Sequence, residues 1–380
     1  MSRISVIGSG FIAKGFINLL HDNPNHTLGK ILTRTAIDKR SDVPYSEHMT
    51  NELDDLIENS DLIVECTGDA IYACDTINRI LEASIPVVTM NSEFHVTVGS
   101  YFIDKGLVTE AEGDQPGVLA MLHEEAISMG FKPLVYGNIK GYLNLDPSLE
   151  DMQFWSKKQG ISLDMVTSFT DGTKVQIEQA FVANGLHAGI AKDELIGLSD
   201  DDMMHGGSIL AEKAKELGYP ISDYLLSSKL PAGVFLAVEP NENQKDGLRY
   251  YKMGDGPYYI LERTFHLCHL EIMKTVDRVL RGGGVLLDNS ANPTISVSTI
   301  AKRDLKPGEI IKKGAGSFAL RGIAVKIKEH KGHVPIGLVK DAVIKRHVAV
   351  GKELTFDDIE LPDSLALNAW KSIEQKVFES

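Results

Sequence analysis

A chain of 380 residues is long enough for two or three domains with sizeable cores, and a hydrophobic content of 43% is ordinary for a folded enzyme. The formal charge of −14 argues against a nucleic-acid-binding face, no apolar run reaches membrane-spanning length, and the N-terminus begins a strand rather than a signal peptide. Three cysteines without C-x-x-C spacing point to neither a disulfide framework nor a zinc knuckle, so a reduced, cytoplasmic compartment is expected.

The first strand, Arg3 to Ile7, runs into Gly8-Ser9-Gly10-Phe11-Ile12-Ala13, a G-x-G-x-x-A turn followed by an apolar helix through Leu20. Gly8 permits the tight turn, Gly10 lets backbone approach a pyrophosphate, and the helix start offers free N–H groups to its charge. Gly8, Gly10, Phe11 and Ile12 are therefore expected to hold a dinucleotide. The second strand ends in Thr33-Arg34, with Lys39 and Arg40 shortly after. An NAD site would place a carboxylate there to bind the ribose hydroxyls, whereas a hydroxyl and a guanidinium suit a 2′-phosphate, which predicts NADP(H).

The apolar run 61–65 leads into Cys66-Thr67-Gly68, then a helix from Ala70 to Ala83 and a strand ending at Asn91. Ligands of such sheets sit beyond the carboxyl ends of the strands, which puts Cys66, Thr67, Gly68, Asn91 and Glu93 on the cofactor rim. With no histidine near it in sequence, Cys66 reads as a small rim residue rather than a nucleophile. After a further strand, 133–137, Lys140 either faces the nicotinamide or is solvated.

The glycine fingerprint, Glu65-Cys66-Thr67-Gly68, Asn91-Ser92-Glu93, Val96-Thr97-Val98-Gly99, Gly113-Asp114-Gln115-Pro116-Gly117 and Ser168-Phe169-Thr170-Asp171-Gly172-Thr173-Lys174 resemble blocks of the homoserine-dehydrogenase-like family. More closely, the chain resembles the branch with a C-terminal SAF (antifreeze-like) domain, which includes deoxyxylulose phosphate reductoisomerase-like enzymes. Ser92 departs from the lysine that homoserine dehydrogenases usually carry after that asparagine. The resemblance implies an α/β chain of three parts: a Rossmann domain over 1–147, a central α+β catalytic domain over 148–295 and an SAF β-module over 296–380.

Asp171, Lys174 and Glu178 fall at helical i, i+3 and i+7 positions, which by spacing alone describes a capped helix with a surface ion pair. The resemblance implies instead that this lysine and its acids face the nicotinamide, with Lys174 as proton donor, Asp171 orienting it and Glu178 polarising the substrate or binding metal. Asn184, before Gly185, either touches substrate or caps the helix. In Arg263-Thr264-Phe265-His266-Leu267-Cys268-His269-Leu270-Glu271, His266, His269 and Glu271 do not share a helical face as three metal ligands; His266 is either a substrate contact or a buried, hydrogen-bonded histidine.

In the C-terminal third, 301–310 is echoed by 344–354 at a spacing of 43 residues, each with a Lys-Arg step, an apolar position and a glycine turn. These Lys-Arg pairs either reach a substrate anion or solvate a scaffold.

The expected activity is NADPH-dependent reduction of a carbonyl on a small polyol or sugar phosphate, with or without a preceding isomerisation. An isomerising enzyme would need a divalent ion (magnesium or manganese), for which Asp171, Glu178 and Glu93 are the nominated ligands. A homoserine-type alcohol dehydrogenase would need none, and a silent NADP(H) sensor would keep the fingerprint without the acid–base set. The partner is a small-molecule substrate rather than nucleic acid or membrane, and a homo-oligomer is the default for such enzymes.

Overall fold

The computed structural model describes residues 1–379. Its first sheet is built from β1 (Ser2–Ile7), β2 (His26–Leu32), β3 (Met49–Thr50), β4 (Leu62–Glu65), β5 (Val87–Thr89) and β6 (Val108–Glu110), in the order β3-β2-β1-β4-β5-β6. All neighbours are parallel. Helices α1 (Phe11–His21), α2 (Leu53–Glu58), α3 (Ala70–Glu82) and α4 (Ser92–Val98) connect them. Strands buried on both faces need continuous apolar runs, as in Leu62-Ile63-Val64. This is the Rossmann-like domain that the opening motif predicts.

The second sheet has the order β11-β10-β7-β9-β8. Its strands are β7 (Lys132–Lys140), β8 (Leu198–Ser199), β9 (Ile221–Leu226), β10 (Val234–Glu239) and β11 (Tyr259–Arg263). It is mixed: β7 runs antiparallel to β10 and parallel to β9. Helices α5 (Gln115–Ser128), α6 (Leu149–Gln159), α7 (Leu163–Thr170), α8 (Thr173–Gly185), α9 (Met203–Leu217) and α10 (Lys245–Tyr250) belong to this half. Strand β7, which sequence patterning assigns to the end of the first domain, is the middle strand of this second sheet. A strand-like run by itself does not say which sheet will hydrogen-bond it.

Helix α11 (Ile272–Leu280) then packs Ile272, Val276 and Val279 into the core under β1 and β4. The C-terminal β-module comprises β12 (Ile295–Ala301), β13 (Ile310–Lys313), β14 (Leu320–Lys326), β15 (Lys340–Ile344) and β16 (Ile359–Glu360), in the pairings β12-β14 and β13-β15-β16. Its two echoing stretches bind each other. The backbones of Leu305 and Val348 exchange hydrogen bonds, the Gly308 amide donates to the Ile344 carbonyl, and the Gly351 amide donates to Ala301. Each bond maps onto its counterpart by the same 43-residue shift, and both glycines have positive φ, 82° and 77°. The repeat is a pseudo-twofold pair.

The last helix, α12 (Leu365–Glu379), leaves this module and buries Trp370, Ile373 and Val377 in the same core as Ile77, Ile80 and Phe94 of α3 and α4. A module bounded at 296–380 therefore includes a helix that completes the first domain. Among the described residues, no helix is long and apolar enough to cross a membrane.

Helix α8 lies at the junction of all three parts. Its Val175, Ile177, Ala180 and Phe181 share a core with Val297, Leu320 and Ala324 of the β-module, and Lys174 is the one side chain before Gly185 that reaches the surface. A helix buried all round must satisfy its polar side chains internally. Gln179 donates to the Tyr136 and Asp223 carbonyls, and Gln176 bridges the Glu194 carbonyl and the Ala324 amide.

His330 ties the β-module together and to the second domain, with Nδ1 2.8 Å from Glu353 and Nε2 2.7 Å from Asp193. Burial works against its charge, but the two carboxylates outweigh it and raise its pKa above the ordinary 6.5. A raised native pKa contributes stability that is complete below the unfolded value and lost as pH climbs through the native one. Thermal melts are expected to show stability falling as pH rises from 6.5 through mildly alkaline values, and His330→Gln should flatten that limb.

Candidate active site

The fingerprint turn has the form a dinucleotide needs. Gly8 has φ 118°, and a Cβ there would stand 3.0 Å from the Cys66 carbonyl oxygen; a Cβ on Gly10, the N-cap of α1, would point into open space. Around the turn, the Ser9 and Thr33 hydroxyls lie 3.1 Å apart, and Arg40 donates to both the hydroxyl (2.6 Å) and the carbonyl of Ser9. Arg34 lies over the Tyr72 ring at 4.6 Å and bonds Asp69 at 2.9 Å. Asn91 caps α4 through its oxygen, while its buried Nδ2 has no partner. An orphaned donor at the carboxyl end of β5 and an open cradle at Gly10 both fit a bound nicotinamide dinucleotide. Thr67 donates to Glu65, and Gly68 takes φ 62° at the mouth of α3. Burial pushes the Cys66 thiol well up, in keeping with a rim residue rather than a nucleophile.

Beside that rim, the start of α8 meets the start of α5. Lys174 Nζ is 2.8 Å from Asp114 Oδ2 and 3.5 Å from both Glu178 Oε1 and the Ser92 hydroxyl. Glu178 also accepts from Lys140 at 3.0 Å and Asn138 at 2.8 Å. With its amide nitrogen toward Asp114 and Glu178, Gln115 accepts from His266 Nε2 through its oxygen at 3.2 Å. Burial opposes the Lys174 charge, but Asp114 and Glu178 outweigh it and hold the pKa above its ordinary value. Lys174 is therefore an ammonium, and burial among anions fixes it rather than poising it near neutrality. Burial likewise favours a neutral Asp114, and the Lys174 charge overrides it and holds the carboxyl below its usual range.

Lys174, Glu178 and Lys140 thus come together, with His266 joined to them through Gln115. Asp171 does not. It is fully buried, with Oδ2 3.0 Å from Lys302 Nζ of the β-module and Oδ1 accepting from the Thr173 amide. Asp171 closes α7 as its C-cap while Gly172 (φ 82°) is the N-cap of α8, so its carboxylate is spent on Lys302 and the Thr173 amide rather than on Lys174. Asn184 is likewise structural: its oxygen accepts from the Thr294 and Ile295 amides, and its nitrogen donates to Asn289 and to the Ile295 carbonyl. Nor do Asp171, Glu178 and Glu93 form a ligand cluster among the described residues. Glu93 sits half-buried, close enough to the β-module that a Cβ on Gly337 would lie 3.2 Å from its Cγ, and burial pushes its carboxyl up to about 7.

Sequence reasoning missed Asp114 and Gln115 as site residues, although their Gly-Asp-Gln-Pro-Gly block stood out. It named Arg40 near the cofactor but not its bonds to Ser9 of the fingerprint, and it missed Cys268. The Cys268 amide donates to the Gly113 carbonyl at 2.9 Å, and His269 lies so close to α1 that a Cβ on Gly15 would stand 2.4 Å from its ring. Loop 264–271 therefore runs from Asp114 to the fingerprint helix. It is braced by Arg263 and Lys274 on Glu112 and Glu271. This occupies Glu271 and leaves His269 away from His266.

Comparisons with known proteins agree with these two parts. Residues 8–98 match the family model described as the NAD binding domain of homoserine dehydrogenase, and residues 113–272 match the catalytic domain of oxidoreductase DRL. Together they describe an oxidoreductase with a nicotinamide-dinucleotide-binding domain. No curated protein matches the chain. Among solved structures, it is similar to a putative myo-inositol dehydrogenase from Sinorhizobium meliloti, with 9% identity, TM-score 0.41, and 75% of this chain and 90% of that one covered. A probable dehydrogenase from Thermotoga maritima gives 13%, 0.42, 74% and 90%, and UDP-N-acetylglucosamine 3-dehydrogenase from Acidithiobacillus ferrooxidans gives 10%, 0.40, 76% and 92%. TM-scores this low add nothing to the reading of the site.

Proposed function

We propose that this protein is an NADPH-dependent reductase acting on a carbonyl of a small polyol or sugar phosphate, with Lys174 as proton donor. The observation that carries this reading is the Lys174 ammonium, 2.8 Å from Asp114 and next to the first turn of α4, which follows the rim residue Asn91. Held at the Gly8–Gly10 turn and the Asn91 rim, reduced nicotinamide would supply a hydride for the carbonyl carbon. Lys174 hydrogen-bonds the carbonyl oxygen and, as the C=O electron pair moves onto that oxygen, gives it a proton. The neutral amine left behind is reprotonated from solvent, a step that Asp114 and Glu178 favour by their charge. Lys140, held by Glu178, gives a second cation for an anionic substrate. The C-terminal module is read as an SAF-like scaffold, which its duplicated glycine turn supports.

The 2′-phosphate preference rests on Thr33 and Arg40, which bond Ser9 of the fingerprint, and on Arg34 just past the end of β2, which lies over Tyr72 and pairs with Asp69, where an NAD site would carry an acid. Arg34→Ala is expected to raise the Kd for NADPH by about 10- to 100-fold, the worth of a hydrogen-bonded charge, and to leave NADH unchanged. An unaltered NADPH-to-NADH ratio would remove Arg34 from cofactor choice.

The reading is tested by following NADPH oxidation with deoxyxylulose phosphate and other sugar-phosphate and polyol carbonyls, with and without divalent cation. Turnover of unrearranged carbonyls supports plain reduction. Metal-dependent turnover of deoxyxylulose phosphate, with a rearranged carbon skeleton in the product, adds an isomerising step. No turnover on any of them, with NADPH bound, overturns the substrate class.

A further inference from the structure

We propose that Asp114, His266 and Cys268 form a zinc site inside the active centre, an inference that rests on the carbonyl-reducing role above. One ligand atom from each residue lies within 4.8 Å of the others, and Cys268 Sγ is 3.9 Å from His266 Nδ1. Tetrahedral zinc, with bonds of about 2.0–2.3 Å, sets its ligand atoms roughly 3.5 Å apart, so no pair of the trio has to draw in by more than about 1.3 Å.

Two independent features prepare it. Gln115 satisfies Asp114 and Glu178 with its NH2 group, so its oxygen faces His266 and takes the proton on Nε2. That tautomer leaves Nδ1 with a free lone pair on the side of Cys268, the outer hydrogen bond that metal-binding histidines commonly make. Cys268 itself holds φ 36°, unusual for a residue with a side chain, and the Gly113 contact pins it there; a Cβ on Gly113 would lie 2.2 Å from the Cys268 carbonyl oxygen.

The donor set chooses the ion. Magnesium wants oxygen in an octahedron, whereas thiolate, imidazole and carboxylate together suit zinc and balance its charge. Three protein ligands leave a fourth position for a substrate oxygen, near Lys174. A helical spacing rule applied to His266, His269 and Glu271 misses this site because the segment is a loop, and because the third ligand comes from α5's start.

The test is to strip the full-length protein with chelator and titrate it with Co²⁺ and Zn²⁺, measuring NADPH binding on the same samples. The expected result is a single ion per chain and a near-ultraviolet sulfur-to-cobalt charge-transfer band. Cys268→Ser should abolish the band and weaken zinc roughly 100-fold; His266→Gln should weaken zinc to a similar degree while the band returns at saturating Co²⁺; Gln115→Leu, which removes only the outer bond, should weaken it about 10-fold or somewhat more. Absence of the band in the wild-type protein, or equal zinc affinity in Cys268→Ser, overturns the site. A band without turnover on any carbonyl supports the zinc site while counting against the proposed reaction. Turnover without a band does the reverse.

Discussion

Lys174→Met is expected to bind NADPH as the parent does and to turn over about 10²- to 10⁴-fold more slowly, the usual worth of a positioned proton donor. The isosteric apolar chain keeps the packing of the first turn of α8 but removes the ammonium that Asp114 and Glu178 hold at 2.8 and 3.5 Å. Because the Lys174 charge is what holds the Asp114 carboxyl below its usual range, the variant should also protonate Asp114 at higher pH than the parent. Lys174→Arg keeps the charge with different geometry and should recover cofactor-site electrostatics without full turnover. Stopped-flow hydride transfer, monitored at saturating NADPH, separates the effect from binding. Unchanged turnover in Lys174→Met would remove this residue from the chemistry.

Asp171→Asn is expected to act on stability instead. Its carboxylate and the Lys302 ammonium are both almost wholly shielded from solvent, and removing one charge strands the other. Breaking such a pair typically costs about 3–5 kcal/mol, so the denaturation midpoint should fall markedly. Replacing both partners with apolar residues, Asp171→Leu with Lys302→Met, should recover much of that loss. Turnover per folded enzyme at a permissive temperature should stay near the parental value. Should kcat fall while the midpoint holds, Asp171 would be an orienting residue for Lys174 after all.

That contrast shows where the sequence is legible. The Rossmann-like half can be read because a glycine turn, an apolar strand and a helix start are local chemistry, and Gly8 and Gly10 carry it in a few residues. Lys174 and Glu178 are singled out by the family resemblance of the block around them, since their i, i+4 spacing alone describes only a surface ion pair. Asp171 sits three residues from Lys174 on that same spacing, yet its partner is Lys302, 131 residues away, and no periodicity encodes such a pairing. Asn184 fails for the same reason, since its partners lie at 289–295. The assembly of Asp114, Gln115, His266 and Cys268 depends on one loop crossing from the second sheet to the first domain. Its hint in the sequence was the crowded His-Leu-Cys-His segment, and only the fold says which of those side chains turns inward.

The return of α12 to the first domain sets an order of events in the life of the chain. A ribosome delivers β1 to β6 early, but the apolar surface of α3 and α4 that receives Trp370 and Ile373 stays open until residues near 370 have been made. The cofactor-binding half is thus made well before the helix that seals it. Domains generally fold as they emerge, and exposed apolar surface in the interval invites misassembly. Chains that stop short of α12 should therefore appear as substrates for quality control rather than as cofactor-binding fragments.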